Sequence, residues 1–336
     1  MFEGFANVWT PVALSSDLPS GKPLAVTVAG TRVVFFRDAA GKPAALHDQC
    51  PHRGVALSLG KVKGGHIECP FHGWQLDCSG QVCAVPWNPD AKPGNLRGVT
   101  FPVRELGHQI WLYTAPIEKP STEPEVNEIL LRPGVRVSGV AIDWNTHWTR
   151  AMENMLDWPH LPFVHAKTIG KDMASRSGAR MDITWEDRPW GAHSFIHIDG
   201  KREPGALDMR WPNQMNLHIP IPNKLMMMLV ACVPIDEGRT RMLLTMARDF
   251  MTSPIFDWVF HRSNLKIANE DRAILESSFP AAVPPPGEER SVRTDGPTLA
   301  FRKRYFAELH GSSAQLAPAD PTGRRALPMA NLPLAS

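Results

Sequence analysis

The sequence has no apolar run long enough to cross a bilayer. Its most apolar stretch, Leu225 to Ile235, falls well short of the roughly 20 residues a spanning helix needs. It has no excess of either charge. Lys and Arg number 36 and Asp and Glu 34, net +2, so neither nucleic acid nor an anionic membrane is expected as a partner. Five cysteines in 336 residues do not make a disulfide scaffold. The opening MFEGFANVWTPVAL lacks the basic start and unbroken apolar stretch of a signal peptide. With so little cysteine, the expected compartment is the reducing cytoplasm. No Gly-x-Gly-x-x-Gly turn is present, so the sequence carries no flavin or nicotinamide fingerprint. There is no internal repeat. Tyrosine is scarce, two residues against eleven tryptophans, and composition gives no reason for it. What remains is ordinary globular usage, 43% apolar and 21% charged, at a length that suits two domains.

The first third reads as short strands. LAVTVAG, TRVVFFRD, AALHDQC and GHIECP are rich in β-branched or aromatic residues and separated by Gly, Lys and Pro turns. VTFPVRELGHQIWLYTAP adds two more. A connection follows, with Pro120, Pro124 and Pro133. Ile142 to Met155 is predicted as a helix and residues 179 to 250 as strands. Pro254 to Phe279 is the best helix, with Phe256, Val259, Phe260, Ile267, Ile274 and Leu275 spaced for one face. After Leu309 the chain is rich in Ala, Pro and Ser, which predicts a draped tail.

Two loops carry chemistry. Cys50-Pro51-His52-Arg53-Gly54 and Cys69-Pro70-Phe71-His72-Gly73-Trp74 each offer one thiolate and one imidazole. Clamped together, they can hold a [2Fe–2S] cluster with both thiolates on one iron and both imidazoles on the other. The competing reading is a Cys2His2 zinc site, but zinc motifs usually pair Cys with Cys and His with His. This pattern resembles the Rieske family. Respiratory-chain members carry an extra cysteine in each loop, joined as a disulfide. Val55 and Phe71 stand at those positions here, so the resemblance is to the oxygenase-type cluster, toward the low end of a range of about −150 to +300 mV. Cys78, Cys83 and Cys232 read as ordinary thiols.

A second constellation is Asn154-x2-Asp157-x2-His160-x4-His165. The first three recur every third residue and are predicted to share one helix face. On a regular helix His165 would diverge from His160, but Pro159 and Pro162 break the helix and let it swing back. Two converging imidazoles and one carboxylate make the facial triad of a non-haem Fe(II) site. The run resembles the iron-binding segment of Rieske non-haem iron oxygenases, in the form found in the vanillate O-demethylase and dicamba monooxygenase branch. The segment Asn269-Glu270-Asp271-Arg272-Ala273-Ile274-Leu275-Glu276 is similar to the one that supplies their carboxylate. By that resemblance Asp271 is the third ligand, with Glu270 the fallback and Glu276 a distant third. Met246 to Phe250 resembles a further segment of the same enzymes.

The resemblance implies an α+β chain. An N-terminal all-β Rieske [2Fe-2S] domain (1–116) is followed by a Pro-rich connection (117–139). A catalytic domain with an antiparallel sheet flanked by helices (140–312) and a tail (313–336) complete it. It implies a terminal oxygenase that hydroxylates or oxidatively demethylates a small, aromatic substrate with O2 as co-substrate. NAD(P)H would serve only indirectly, through a separate reductase or ferredoxin. Monooxygenation or demethylation is favoured over ring dihydroxylation or natural-product tailoring. The rival of another class is a Rieske electron carrier without oxygenase activity. The resemblance further implies a homotrimer in which Asp157 links His72 of one subunit to His160 of the next, with Asn154 beside it. For substrate contacts the sequence offers Met226 and Met228 on one strand face, His218 (with His193 and His197 less placed), and Arg248 as a partner for a carboxylate.

Overall fold

The computed structural model describes residues 1–91, 94, 96–176, 178–285 and 287–310. The expected tail at 313–336 lies outside the described residues. Short β-branched runs separated by glycine turns build the N-terminal part as three small antiparallel sheets. Trp9–Leu14, Gln109–Tyr113 and Val103–Leu106 form one, with the middle strand between the others. Leu24–Val28, Thr31–Arg37 and Pro43–His47 form a meander. Lys61–Lys63, His66–Glu68, Gln75–Leu76 and Val82–Ala84 form the third. A small core fills the space behind the two Cys-His loops, from Val34, Phe36, Leu46, Leu57, Ile67, Leu76 and the two loop cysteines.

The second part is one eight-stranded antiparallel sheet. In spatial order it runs Arg136–Trp144, Arg239–Arg248, Met226–Asp236, Gln214–His218, Ala206–Arg210, Gly191–Ile198 and Met181–Arg188, with Lys201–Arg202 paired to Gly191–Ile198. Among the described residues, five α-helices accompany it: α1 (Trp148–Leu156), α2 (Leu161–Val164), α3 (Lys171–Ala174), α4 (Asp257–Leu275) and α5 (Gly296–Tyr305). No helix among the described residues is long and apolar enough to cross a membrane.

Several boundaries differ from the sequence reading. The first strand of the large sheet starts at Arg136, inside the expected connection, because residues 136–144 pair in register with Thr240–Arg248. The helix expected from Ile142 begins only at Trp148, where the His147 side chain accepts from the Thr149 N–H and caps it. That helix also ends early. Asp157 is extended (φ −85, ψ 121), and His160 belongs to the start of α2, so Asn154, Asp157 and His160 do not share one helix. The cause is Pro159, which disfavours helical geometry at Trp158 and cannot donate to a carbonyl four residues back. On α4 the buried side chains are Asn264, Ala268 and Asp271, while Val259 and Ile274 of the expected apolar face are exposed. That helix turns a partly polar stripe inward because it faces a site rather than a plain core.

One core joins the two parts. Phe2, Phe5, Val26, Phe35, Phe101 and Ile110 pack in the same cluster as Trp144, Trp148, Met152, Val230 and Leu244. Buried hydrogen bonds run across it, from Gln109 Nε2 to Thr245 Oγ1 (3.1 Å) and from Asn213 Nδ2 to Thr10 Oγ1 (2.9 Å). Helix α1 is further tied to α5 by a network of ion pairs: Arg150 and Arg302 both bind Glu153 and Glu289. The Arg150 guanidinium beside Glu289, with Arg302 next to it, holds that carboxyl down at about 2, despite burial.

Candidate metal centres

The two Cys-His loops have matching backbones. The N–H of Cys50 donates to Val55 O (2.8 Å) and Gly54 N–H returns to Cys50 O (2.9 Å). In the second loop Cys69 N–H donates to Trp74 O (2.8 Å) and Gly73 N–H to Cys69 O (3.0 Å). Both glycines have positive φ, +74 and +71, a conformation that favours glycine and turns each loop back under its cysteine. Cys50 and Cys69 are buried, while His52 and His72 lie half-exposed with ring centroids 4.8 Å apart. Trp74 stacks flat on His52 at 4.3 Å and Phe71 leans on His72 at 3.9 Å. Burial pushes the Cys50 thiol up to about 11, with Cys69 beside it adding to the rise and the backbone of His52 opposing it. Two sulfurs inside and two imidazoles outside suit the two ends of a [2Fe–2S] cluster. A single zinc ion would draw ligand atoms from both loops close around one point. Among the described residues, the set of three whose ligand atoms all lie within 4.8 Å of one another is His160, His165 and Asp271.

That second set is assembled from α2 and α4. His165 Nε2 stands 3.0 Å from Asp271 Oδ1, and His160 Nε2 stands 3.6 Å from the same oxygen. Cis ligands on a metal with bonds of about 2.1 Å stand about 3.0 Å apart, so the spacing fits one ion with open positions left over. Asp271 Oδ1 and His160 Nδ1 are buried without a hydrogen-bond partner, which a bound cation and a small side-chain rotation would relieve. Burial pushes the His165 imidazolium down, but the Asp271 and Glu270 carboxylates outweigh it, and its pKa stands above the ordinary histidine value. Two carboxylates that favour the imidazolium there also favour a cation in its place.

The neighbouring acids have separate places. Glu270 Oε2 meets the other nitrogen of His165, Nδ1, at 2.8 Å, and accepts from Thr168 Oγ1 at 2.7 Å. Glu276 accepts from the Asn145 backbone (2.8 Å) and from Arg272, away from the imidazoles. Asp157 Oδ2 lies 3.6 Å from His160 Nδ1, and Asn154 lies beside it with a buried, unpaired Nδ2.

The imidazoles and Asp271 line a mainly apolar cavity between α2, α4 and the large sheet. Its walls alternate along the sheet: Leu207, Met215, Leu217, Met228, Val230, Met242 and Leu244 share one face, in register with one another. Trp144, Met155, Trp158, Leu161, Ile169, Ile267 and Ala268 close the other sides, with Asn264 the polar group of the α4 wall besides Asp271. Of the substrate residues expected from sequence, Met228 lines this cavity and the others do not. Met226 shares its strand face but lies beyond the wall, beside a separate surface recess. His218 is on the opposite sheet face, where it and His193 share the Asp208 carboxylate at 2.8 and 2.7 Å. Arg248 is fully buried and engaged by Asp257 (2.6 Å), Ser138, Met251 O and the face of Phe260, so it is not free to receive a ligand. The walls Met215, Leu217, Met242 and Leu244 were legible only as strand alternation, and Asn264 only as a residue two helical turns before Asp271.

Comparison with known proteins follows the same division. Residues 8–102 match the Rieske [2Fe-2S] domain, and residues 144–309 match the vanillate O-demethylase oxygenase C-terminal domain. The chain is 25% identical over 346 residues to methylxanthine N1-demethylase NdmA of Pseudomonas putida, covering 93% of this chain and 92% of that one. The solved structure of NdmA from Pseudomonas putida CBB5 aligns with a TM-score of 0.77 at 23% identity, covering 95% of this chain and 98% of the other. Dicamba O-demethylase, oxygenase component, of Stenotrophomonas maltophilia is 32% identical over 172 residues, 51% of this chain and 50% of that one. Chlorophyllide a oxygenase of Chlamydomonas reinhardtii is 27% identical over 300 residues, 81% of this chain. The chain spans only 43% to 51% of the length of this and the other chloroplast relatives first matched.

Proposed function

This chain joins a Rieske [2Fe-2S] domain to a vanillate O-demethylase-type oxygenase domain and so belongs to the Rieske oxygenases; on that premise we propose that it is a terminal oxygenase that hydroxylates or oxidatively demethylates a small organic, aromatic substrate. The Rieske part would lie within residues 1–116, and the catalytic part would begin with the strand Arg136–Trp144. The observation that carries the reading is the convergence of His160, His165 and Asp271 within 4.8 Å at the head of an apolar cavity. Cys50, Cys69, His52 and His72 would hold the cluster, and the three converging side chains a mononuclear Fe(II). When bound, these groups supply single electrons and the reductive activation of O2.

The chain's own residues have distinct tasks. Glu270 accepts a hydrogen bond from the Nδ1–H of His165 and leaves Nε2 as the ligand atom. The apolar walls exclude water and press a flat ring toward the polar end. Asn264, 3% exposed and with an unpaired Nδ2, can donate to a polar atom of the substrate and fix its orientation. Asp157 borders both this cavity and a polar recess on the outside, lined by Arg150, Glu289, Ser291 and Arg302. Its carboxylate can therefore be reached from outside, as the family's link to His72 of a second subunit in a trimer requires. The exposed Phe71 beside His72 suits such a contact. Without a nucleotide fingerprint of its own, the chain would draw NAD(P)H electrons through a reductase or ferredoxin.

The test is turnover. Protein supplied with a reductase should consume O2 and place one atom of 18O2 in the new hydroxyl of a hydroxylated arene, or in the formaldehyde released from a demethylated one. No O2 uptake, and no iron at the second site, would leave an electron carrier instead.

A further inference from the structure

We propose that the cavity selects an uncharged ring and rejects aromatic carboxylates; this rests on reading the cavity as the substrate site. None of its lining residues, all of them described, is a lysine or arginine. Apart from the imidazoles of His160 and His165, which would be metal ligands, the ionisable side chains in the wall are Asp157 and Asp271, both acidic. Arg248 lies on the same strand face as Met242 and Leu244 but is held by Asp257. The wall that a substrate tail would meet is built from Met215, Leu217, Met228, Val230 and Leu244, with Asn264 as a neutral donor. A carboxylate placed against that wall, away from the metal ligands, would lose its hydration and gain no cationic side chain in exchange. An amide, ether or ring carbonyl of the same shape keeps a hydrogen bond to Asn264 and loses far less. Selection against charge thus comes from the absence of a partner, not from a clash.

The experiment compares ring-matched amide and carboxylate pairs, one based on methoxybenzene and one on methoxynaphthalene, binding to the iron-loaded protein at neutral pH. Binding is read from tryptophan fluorescence, since Trp144 and Trp158 line the cavity. The amide is expected to bind about tenfold more tightly or better in each pair that binds. A carboxylate that binds as tightly as its amide, or failure of both amides to bind, overturns the proposal. In Met228→Lys, which sets an ammonium in the wall, the ratio should shrink or reverse. An unchanged ratio in that folded variant would place the probes elsewhere and also overturn it. Iron content and O2 uptake are measured separately, so loss of the oxygenase reading with the preference intact is told apart from loss of the preference.

Discussion

His165 and Glu270 form a tautomer lock: the Glu270 carboxylate takes Nδ1 at 2.8 Å and turns Nε2 toward Asp271. A histidine ligand oriented in this way binds metal more tightly than a free one, and loss of such a partner typically costs 10–100-fold in affinity. Glu270→Gln should therefore bind Fe(II) about ten- to a hundredfold more weakly while still filling at excess metal. Asp271→Ala should fail to retain the mononuclear iron at all. Iron titration with a chelator competitor decides. Retention by Asp271→Ala together with loss in Glu270→Ala would exchange the two roles.

The purified protein should be brown and contain about three Fe per chain, two from the cluster and one mononuclear. His160→Ala or His165→Ala should lower this to about two and leave the cluster spectrum intact, since the cluster ligands stand on loops of the N-terminal part and the second set on α2 and α4. Cys50→Ser should do the reverse. Equimolar zinc with no visible absorption would remove the cluster from the account.

Asp157→Asn should keep both metals and lose turnover. Asparagine matches the shape but carries no charge, and only its oxygen accepts. Asp157 stands 3.6 Å from His160 Nδ1 and touches none of the three converging ligand atoms. Near-normal iron content with turnover lowered by orders of magnitude is expected. Single-turnover mixing of pre-reduced protein with O2 and substrate would show it as slow cluster oxidation. Normal rates would reduce Asp157 to a helix-terminating residue.

His147 predicts a pH dependence of stability. Burial, with His310 nearby, pushes its imidazolium down to about 4. The unfolded chain, with an ordinary pKa near 6.5, binds the proton first. Stability should therefore be full above about 6.5 and fall as pH drops toward about 4, by an amount of order 3 kcal/mol. The Glu289 and Asp257 carboxyls, both held down to about 2, contribute stability that is lost only as pH falls below about 4.5. Denaturant unfolding between pH 7 and 4.5 should show the slope in the wild type. It should be flatter in His147→Asn, which can still cap α1.

The sequence alone determined the chemistry of the two centres. Cys-x-His and Cys-x-x-His must form short loops for purely local reasons, with Gly54 and Gly73 at positive φ, so their pairing is written in residue order. The strand texture of the first third and the long helix near Asp271 were legible too, because both rest on local periodicity. Tertiary structure decided what depends on residues far apart in the chain. It set Asp271 against His165 across more than a hundred residues and sent Glu270 to the other ring nitrogen. It engaged Arg248 with Asp257 and His218 with Asp208, where a list of polar residues could only offer them as ligands. It also built the cavity wall from single alternate residues of several strands, no one of which is distinctive by itself. Side chains converge through strand register and helix packing, and neither is encoded in any one stretch of the chain.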